Sequence, residues 1–145
     1  MNAIIERVIE LLKRFEGCRL HSYQDTKGVW TIGYGETLNI GPEMVWTQDF
    51  AELQLRQRAT YFTLSVFLKC PQLHAEPVDR VAACVSLAYN IGIAAFGVSS
   101  VCRLTKRRQY PQAAKSFLLW NKSGGKPVLT WRRSVEAKIY CLEGR

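Results

Sequence analysis

Along residues 3–15, Ile4, Ile5, Val8, Leu11, Leu12 and Phe15 recur at helical spacing, with Glu6, Arg7, Glu10, Lys13 and Arg14 between them. This pattern predicts an amphipathic helix with one apolar stripe. Asn2 suits its N-cap, and Gly17 suits a C′ residue in the left-handed region. The period then shortens. Residues 20–23 and 29–32 are β-prone runs flanking Asp25-Thr-Lys-Gly28. Asp at the first and Gly at the fourth position of a turn fit type I geometry, so a β-hairpin is predicted. Gly33 and Gly35 punctuate the second strand, as a bend or a close backbone approach requires.

Thr47 is a good N-cap for a long helix over residues 47–69, with Asp49 in its first turn. Its first half is one-sided. Its second half is apolar nearly all round, which predicts a helix passing from a small lobe into the core of a larger one. Pro71 ends it. Residues 78–93 read as a core helix, within which Asn90 is either a hydrogen-bonded buried amide, the favoured reading, or a substrate contact. Ser99 or Ser100 caps a short helix ending near Lys106, Arg107 and Arg108. Pro111 opens another helix, carrying Ala113, Ala114, Phe117, Leu118 and Trp120. A basic loop at 121–127 precedes a last helix at about 130–142. A hairpin segregated near the N-terminus and followed by helices is an α+β architecture. The chain is read as one domain, 1–145: N-terminal helix 3–15, hairpin lobe about 16–46, inter-lobe helix about 47–69 and an all-helical lobe about 70–145.

Composition changes this picture in two respects. Twenty Lys and Arg against twelve Asp and Glu give a formal charge of +8, which suits an anionic partner such as a cell-wall polymer, a membrane surface or nucleic acid. The five cysteines, Cys18, Cys70, Cys84, Cys102 and Cys141, show no metal-ligand or redox spacing, and His21 and His74 stand apart. Free thiols in a reducing compartment are expected, with no metal and no cofactor. No stretch has the apolar length of a membrane span, and the charged N-terminus lacks a signal-peptide core.

The candidate chemistry lies in residues 15–37, FEGCRLHSYQDTKGVWTIGYGET. Glycosidic hydrolysis needs one carboxylic acid to protonate the leaving oxygen and a second carboxylate to activate water or act as nucleophile. Glu16, at the negative end of a helix dipole and beside Phe15, is placed to keep a proton. Asp25, at a polar turn, is placed to ionise, and the Thr31 hydroxyl on the returning strand to hold a water. Such a spacing alone is weak evidence. The residues around it add to it.

This stretch resembles the phage-type lysozymes (endolysins) of glycoside hydrolase family 24. It carries Glu16-Gly17, Arg19-Leu20, Tyr23, Asp25, Gly28, Thr31, Gly33 and Gly35 in the family's register. The 85–100 segment VSLAYNIGIAAFGVSS, then Phe117, Trp120, Gly124-Gly125, Arg132-Arg133 and Glu136, extend the likeness over nearly the whole chain. The resemblance implies a muramidase with Glu16 as general acid and Asp25 and Thr31 positioning and activating water. It further implies peptidoglycan glycan strands as substrate, contact with the anionic envelope, a monomer without nucleic acid, and a host-cytoplasmic enzyme released with the help of a holin. One residue departs: the family usually has His where Glu36 stands, so an ion pair made by that His is lost or inverted. Arg132 and Arg133 either reach the Glu16 side or form a solvated helix face. Trp30, Trp46, Trp120 and Trp131 could stack on sugars, core packing being the favoured expectation for Trp120 and Trp131.

Two other classes compete with hydrolysis. A lytic transglycosylase needs one catalytic acid and no activated water, and the presence of Asp25 and Thr31 argues against it. A non-catalytic basic protein binding wall or membrane would use the +8 charge alone. Nucleic-acid binding rests on charge without a motif and ranks last.

Overall fold

The first apolar stripe forms helix α1, Asn2–Glu16, which buries Ile5, Val8, Ile9, Leu11 and Leu12 in the computed structural model of the chain. Residues 1–143 are described; the last two positions of the expected 70–145 lobe lie outside them. Asn2 is already helical and Met1 occupies the N-cap without a side-chain bond, one residue earlier than expected. Gly17 has the positive φ (63°) foreseen for it, but its ψ of 178° is extended rather than left-handed helical. Only glycine adopts this combination readily, and it turns the chain sharply into the hairpin.

Strands β1 (Arg19–Gln24) and β2 (Trp30–Gly33) pair antiparallel, with Tyr23 opposite Thr31 and Gln24 opposite Trp30. The register slips between Arg19 and Tyr23. The other edge of β1 is covered by residues 44–46: Ser22 N–H donates to the Met44 carbonyl at 2.9 Å, and Trp46 N–H to the Leu20 carbonyl at 2.8 Å. Covering the edge this way satisfies backbone groups that a two-stranded ribbon would leave open.

Helix α2, Gln48–Lys69, starts where Thr47 accepts the Phe50 N–H at 3.1 Å, and ends ahead of a 3₁₀ turn opened by Pro71. It buries one face from end to end: Ala51, Leu55, Ala59, Phe62, Val66 and Phe67. The expectation that its second half is enclosed all round is not met, since Tyr61, Leu64 and Leu68 are exposed. The enclosed helix is α3, Val78–Ile91, whose residues from Asp79 to Ala88 are all buried. Helices α4 (Ile93–Val98) and α7 (Thr130–Tyr140) pack against it, and α5 (Ser100–Lys106, capped by Ser99) and α6 (Tyr110–Ser116) pack on each other, joined to α4 and α7 respectively. Helix α6 is shorter than expected because a 3₁₀ turn, Phe117–Trp120, takes over its second half. Helix α4 was not foreseen. Its six residues sit between Gly92 and Ser99, too short for a period to register.

The result is a small hairpin lobe joined by α2 to a larger helical lobe, with α1 packed against α3 in the latter. Cys70, Cys84 and Cys102 are buried there as free thiols, behaving as small apolar side chains.

Candidate active site

The hairpin supplies two of the three candidates through local bonds. Asp25 Oδ1 accepts the backbone N–H of Lys27 at 2.8 Å and of Val29 at 2.9 Å. Val29 returns the contact, its carbonyl accepting the Asp25 N–H at 2.9 Å and the Thr31 hydroxyl at 2.9 Å. One residue therefore fixes both Asp25 and Thr31. Asp25 Oδ2 stays outside these turn bonds, and Thr31 keeps its hydroxyl lone pairs as acceptors. Asp25 is half-buried, whereas Thr31 is buried.

Glu16 closes α1 and is held from far along the chain. Arg132 Nη1, on α7, lies 2.7 Å from its Oε1. The Arg132 guanidinium also sits over the Phe15 ring, 4.8 Å from its centroid. The helix dipole disfavours a carboxylate at this end, and the guanidinium supplies the compensating charge. On the other side Glu16 meets the hairpin lobe: a Cβ on Gly35 would stand 2.7 Å from Oε2. Gly35 has φ of 80°, so both its conformation and the space beside it require glycine.

Behind Arg132 is a buried charged cluster. Its Nε lies 3.4 Å from Glu136 Oε2, and its Nη2 donates to the Ser86 carbonyl at 3.2 Å. Ser86 Oγ donates to Glu136 Oε2 at 2.6 Å. Arg133 Nη1 stands 3.0 Å from Glu136 Oε1, an ion pair without hydrogen-bond alignment, and Arg133 Nη2 donates to Asn90 Oδ1. Burial pushes the Glu136 carboxyl above its ordinary range, against the pull of the two guanidiniums. Burial likewise draws Arg133 down to about 10, so it is still charged at neutral pH.

These contacts decide one pair of alternatives and correct two expectations. Arg132 and Arg133 are not a solvated helix face; they are 7% and 0% exposed. Asn90 is exposed rather than a buried amide, because α3 emerges from the core there, although its Oδ1 is bonded as expected. Trp131 is 58% exposed, resting edge-on against Phe15 at 5.5 Å instead of entering the core. Sequence reasoning missed Gly35 and Glu136 as parts of the site. The close-approach reading of Gly35 was the available signal for the first, and the Arg-Arg-x-x-Glu spacing for the second.

With this geometry in place, the Phage lysozyme family model matches residues 13–136. The chain belongs to the phage lysozyme family. An endolysin of Acyrthosiphon pisum secondary endosymbiont phage 1 is 35% identical, covering 94% of this chain and 97% of its own. Among solved structures, the endolysin from Escherichia coli O157:H7 phage FAHEc1 superposes with a TM-score of 0.82 at 30% identity, over 93% of this chain and 90% of that one. The muramidase domain of SpmX from Asticaccaulis excentricus gives 0.79 at 30%, over 93% and 95%. As a family member the chain is a glycosidase, an endolysin-type muramidase.

Glu36, where the resemblance implies a His, has defined partners. Glu36 Oε1 accepts the backbone N–H groups of Thr37 and Leu38 at 3.0 and 2.9 Å, and Oε2 lies 3.1 Å from Arg58 Nε on α2. An ion pair is present here with the carboxylate on the hairpin side. It ties the end of the hairpin to the inter-lobe helix, and the two backbone N–H bonds to the same carboxylate are charge-assisted.

Proposed function

We propose that this muramidase hydrolyses the β-1,4 bond between N-acetylmuramic acid and N-acetylglucosamine in peptidoglycan, with Glu16, Asp25 and Thr31 as the catalytic residues. The observation that carries the reading is the Glu16 carboxyl, pinned by Arg132 through one oxygen and set against Gly35 of the hairpin lobe with the other. Glu16 donates its proton to the leaving glycosidic oxygen. Arg132 then holds the carboxylate that remains. Asp25 accepts a proton from a water held at the Thr31 hydroxyl, and that water's oxygen bonds to the anomeric carbon. The enzyme acts as a monomer from the host cytoplasm, reaching the wall after a holin opens the membrane. No helix among the described residues is long and apolar enough to cross a membrane.

Mass spectrometry of digested peptidoglycan tests the reaction. A reducing muramic acid end is expected, whereas 1,6-anhydromuramic acid would identify a transglycosylase. Glu16→Gln is expected to lower turbidity clearance of permeabilised Gram-negative cells by about 10²–10⁴-fold, the range of a lost general acid. A variant that clears such cells as fast as the parent would instead support a non-catalytic basic protein.

A further inference from the structure

The turn that presents Gly35 to Glu16 is closed by Ile32 and Glu36, which exchange backbone bonds. Ile32 N–H donates to the Glu36 carbonyl at 3.0 Å, and Glu36 N–H to the Ile32 carbonyl at 2.9 Å. Between them Gly33 and Gly35 both have positive φ, 64° and 80°. The Tyr34 carbonyl takes no part in this exchange. A peptide followed by glycine rotates with little steric hindrance, because no Cβ restricts φ. The Tyr34–Gly35 peptide therefore needs a hold from outside the turn. Two helices supply it. On α2, Glu52 accepts the Tyr34 hydroxyl, and Gln48 Nε2 donates to it at 3.0 Å. On α3, the Tyr89 hydroxyl donates to the Tyr34 carbonyl at 2.8 Å. The Tyr89 ring is set in turn against Phe62 of α2, with ring centroids 5.1 Å apart. Burial, then the Glu16 and Glu36 charges, push the Tyr89 phenol up, so the hydroxyl keeps its proton.

We propose that Tyr89 is a positioning residue for the general acid: its hydroxyl, by holding the Tyr34 carbonyl, fixes the peptide that sets Gly35 against Glu16 Oε2. The two carboxyl oxygens are then constrained from different helices. Arg132 on α7 holds Oε1 directly, and Tyr89 on α3 fixes, through the turn, the backbone that Oε2 meets. Without the hydroxyl, the peptide samples other orientations and Glu16 loses a fixed neighbour on that side. A misplaced acid slows proton transfer without weakening the hold on the substrate. The proposal rests on the reading of Glu16 as general acid given above.

A double-mutant cycle tests it, following release of reducing ends from peptidoglycan. Tyr89→Phe keeps the ring against Phe62 and removes only the hydroxyl. Its kcat is expected to fall about three- to tenfold, the scale of one hydrogen bond, with KM within about twofold of the parent. In a Glu16→Gln background, read with enzyme in excess over substrate, the same substitution is expected to change the residual rate by less than about twofold, because the group it positions is already gone. A merely structural role would give the same loss in both backgrounds, and that result would overturn the proposal. So would an unchanged kcat, or a rise in KM without a fall in kcat. If Glu16→Gln releases reducing ends as fast as the parent, the reading of Glu16 as acid fails and the proposal with it, so the two failures are distinguishable.

Discussion

On the hairpin wall of the candidate site, the side-chain bonds of Asp25 and Thr31 are local, the longest running from Asp25 to Val29. On the helical wall, Glu16 is held by Arg132, which stands 116 positions away. Arg132 in turn leans on Glu136 and Ser86, inside a buried cluster of charges. The first wall forms wherever the turn forms. The second exists only when α1, α3 and α7 are packed together. One consequence is that damage should spread differently from the two walls: loss of chemistry without loss of fold on one, and loss of both on the other.

The largest effect on stability is expected on the helical wall. Glu136→Gln removes the carboxylate that pairs with both buried arginines, and breaking one partner of a buried ionic cluster costs about 3–5 kcal/mol. Urea unfolding should show this loss, with activity falling too as Arg132 loses the group that orients it. A variant as stable as the parent would show that the cluster is not what holds the helical wall together. On the hairpin wall, Asp25→Asn keeps an amide oxygen to accept the two turn N–H groups. Stability should therefore stay within about 0.5 kcal/mol of the parent, while kcat falls about a hundredfold or more with loss of the proposed base. Comparable losses of stability in the two variants would erase the contrast between the walls.

The smallest effect concerns the joint between the lobes. Glu52, on α2, lies 2.7 Å from Lys13 Nζ and accepts the Tyr34 hydroxyl at 2.8 Å. Its carboxyl is held below its ordinary value of 4.5, chiefly by the hydrogen-bonded Lys13 ammonium. A lowered folded-state pKa contributes stability above the unfolded value that is lost as pH falls through the folded one. Glu52→Gln should therefore flatten the acid limb of the stability–pH curve below about pH 4.5, a modest change because the pair is partly exposed. An unchanged acid limb would mean that Glu52 does not link the lobes energetically.

Charge divides the molecule along a similar line. Residues 1–76 hold eight Lys and Arg and nine Asp and Glu, whereas 77–145 hold twelve and three. The excess behind the +8 is thus confined to the helical lobe. Some of these cations are buried structural parts: Arg80 pairs with Glu76, and Arg132 and Arg133 with Glu136. Exposed residues such as Lys106, Arg107, Arg108, Lys122 and Lys126 carry the part of the charge that faces solvent. Net charge alone draws no distinction between the two groups.

What the sequence determined by itself was whatever depends on neighbours along the chain. The apolar stripe of α1, the Asp25–Gly28 turn bond and the Thr47 cap all follow from side chains a few residues apart, and all are present in the structure. The ends of α1 and α6 were less legible, because backbone conformation at Gly17 and the switch to a 3₁₀ turn at Phe117 carry no periodic signal. Which face of α7 is buried, and which cation meets Glu16, was decided only by tertiary structure. A helix bearing Arg132, Arg133 and Glu136 reads from sequence as one that water could solvate. Only the packing of α3 and α1 against it removes that water and turns the three charges toward one another, toward Asn90 and toward Glu16.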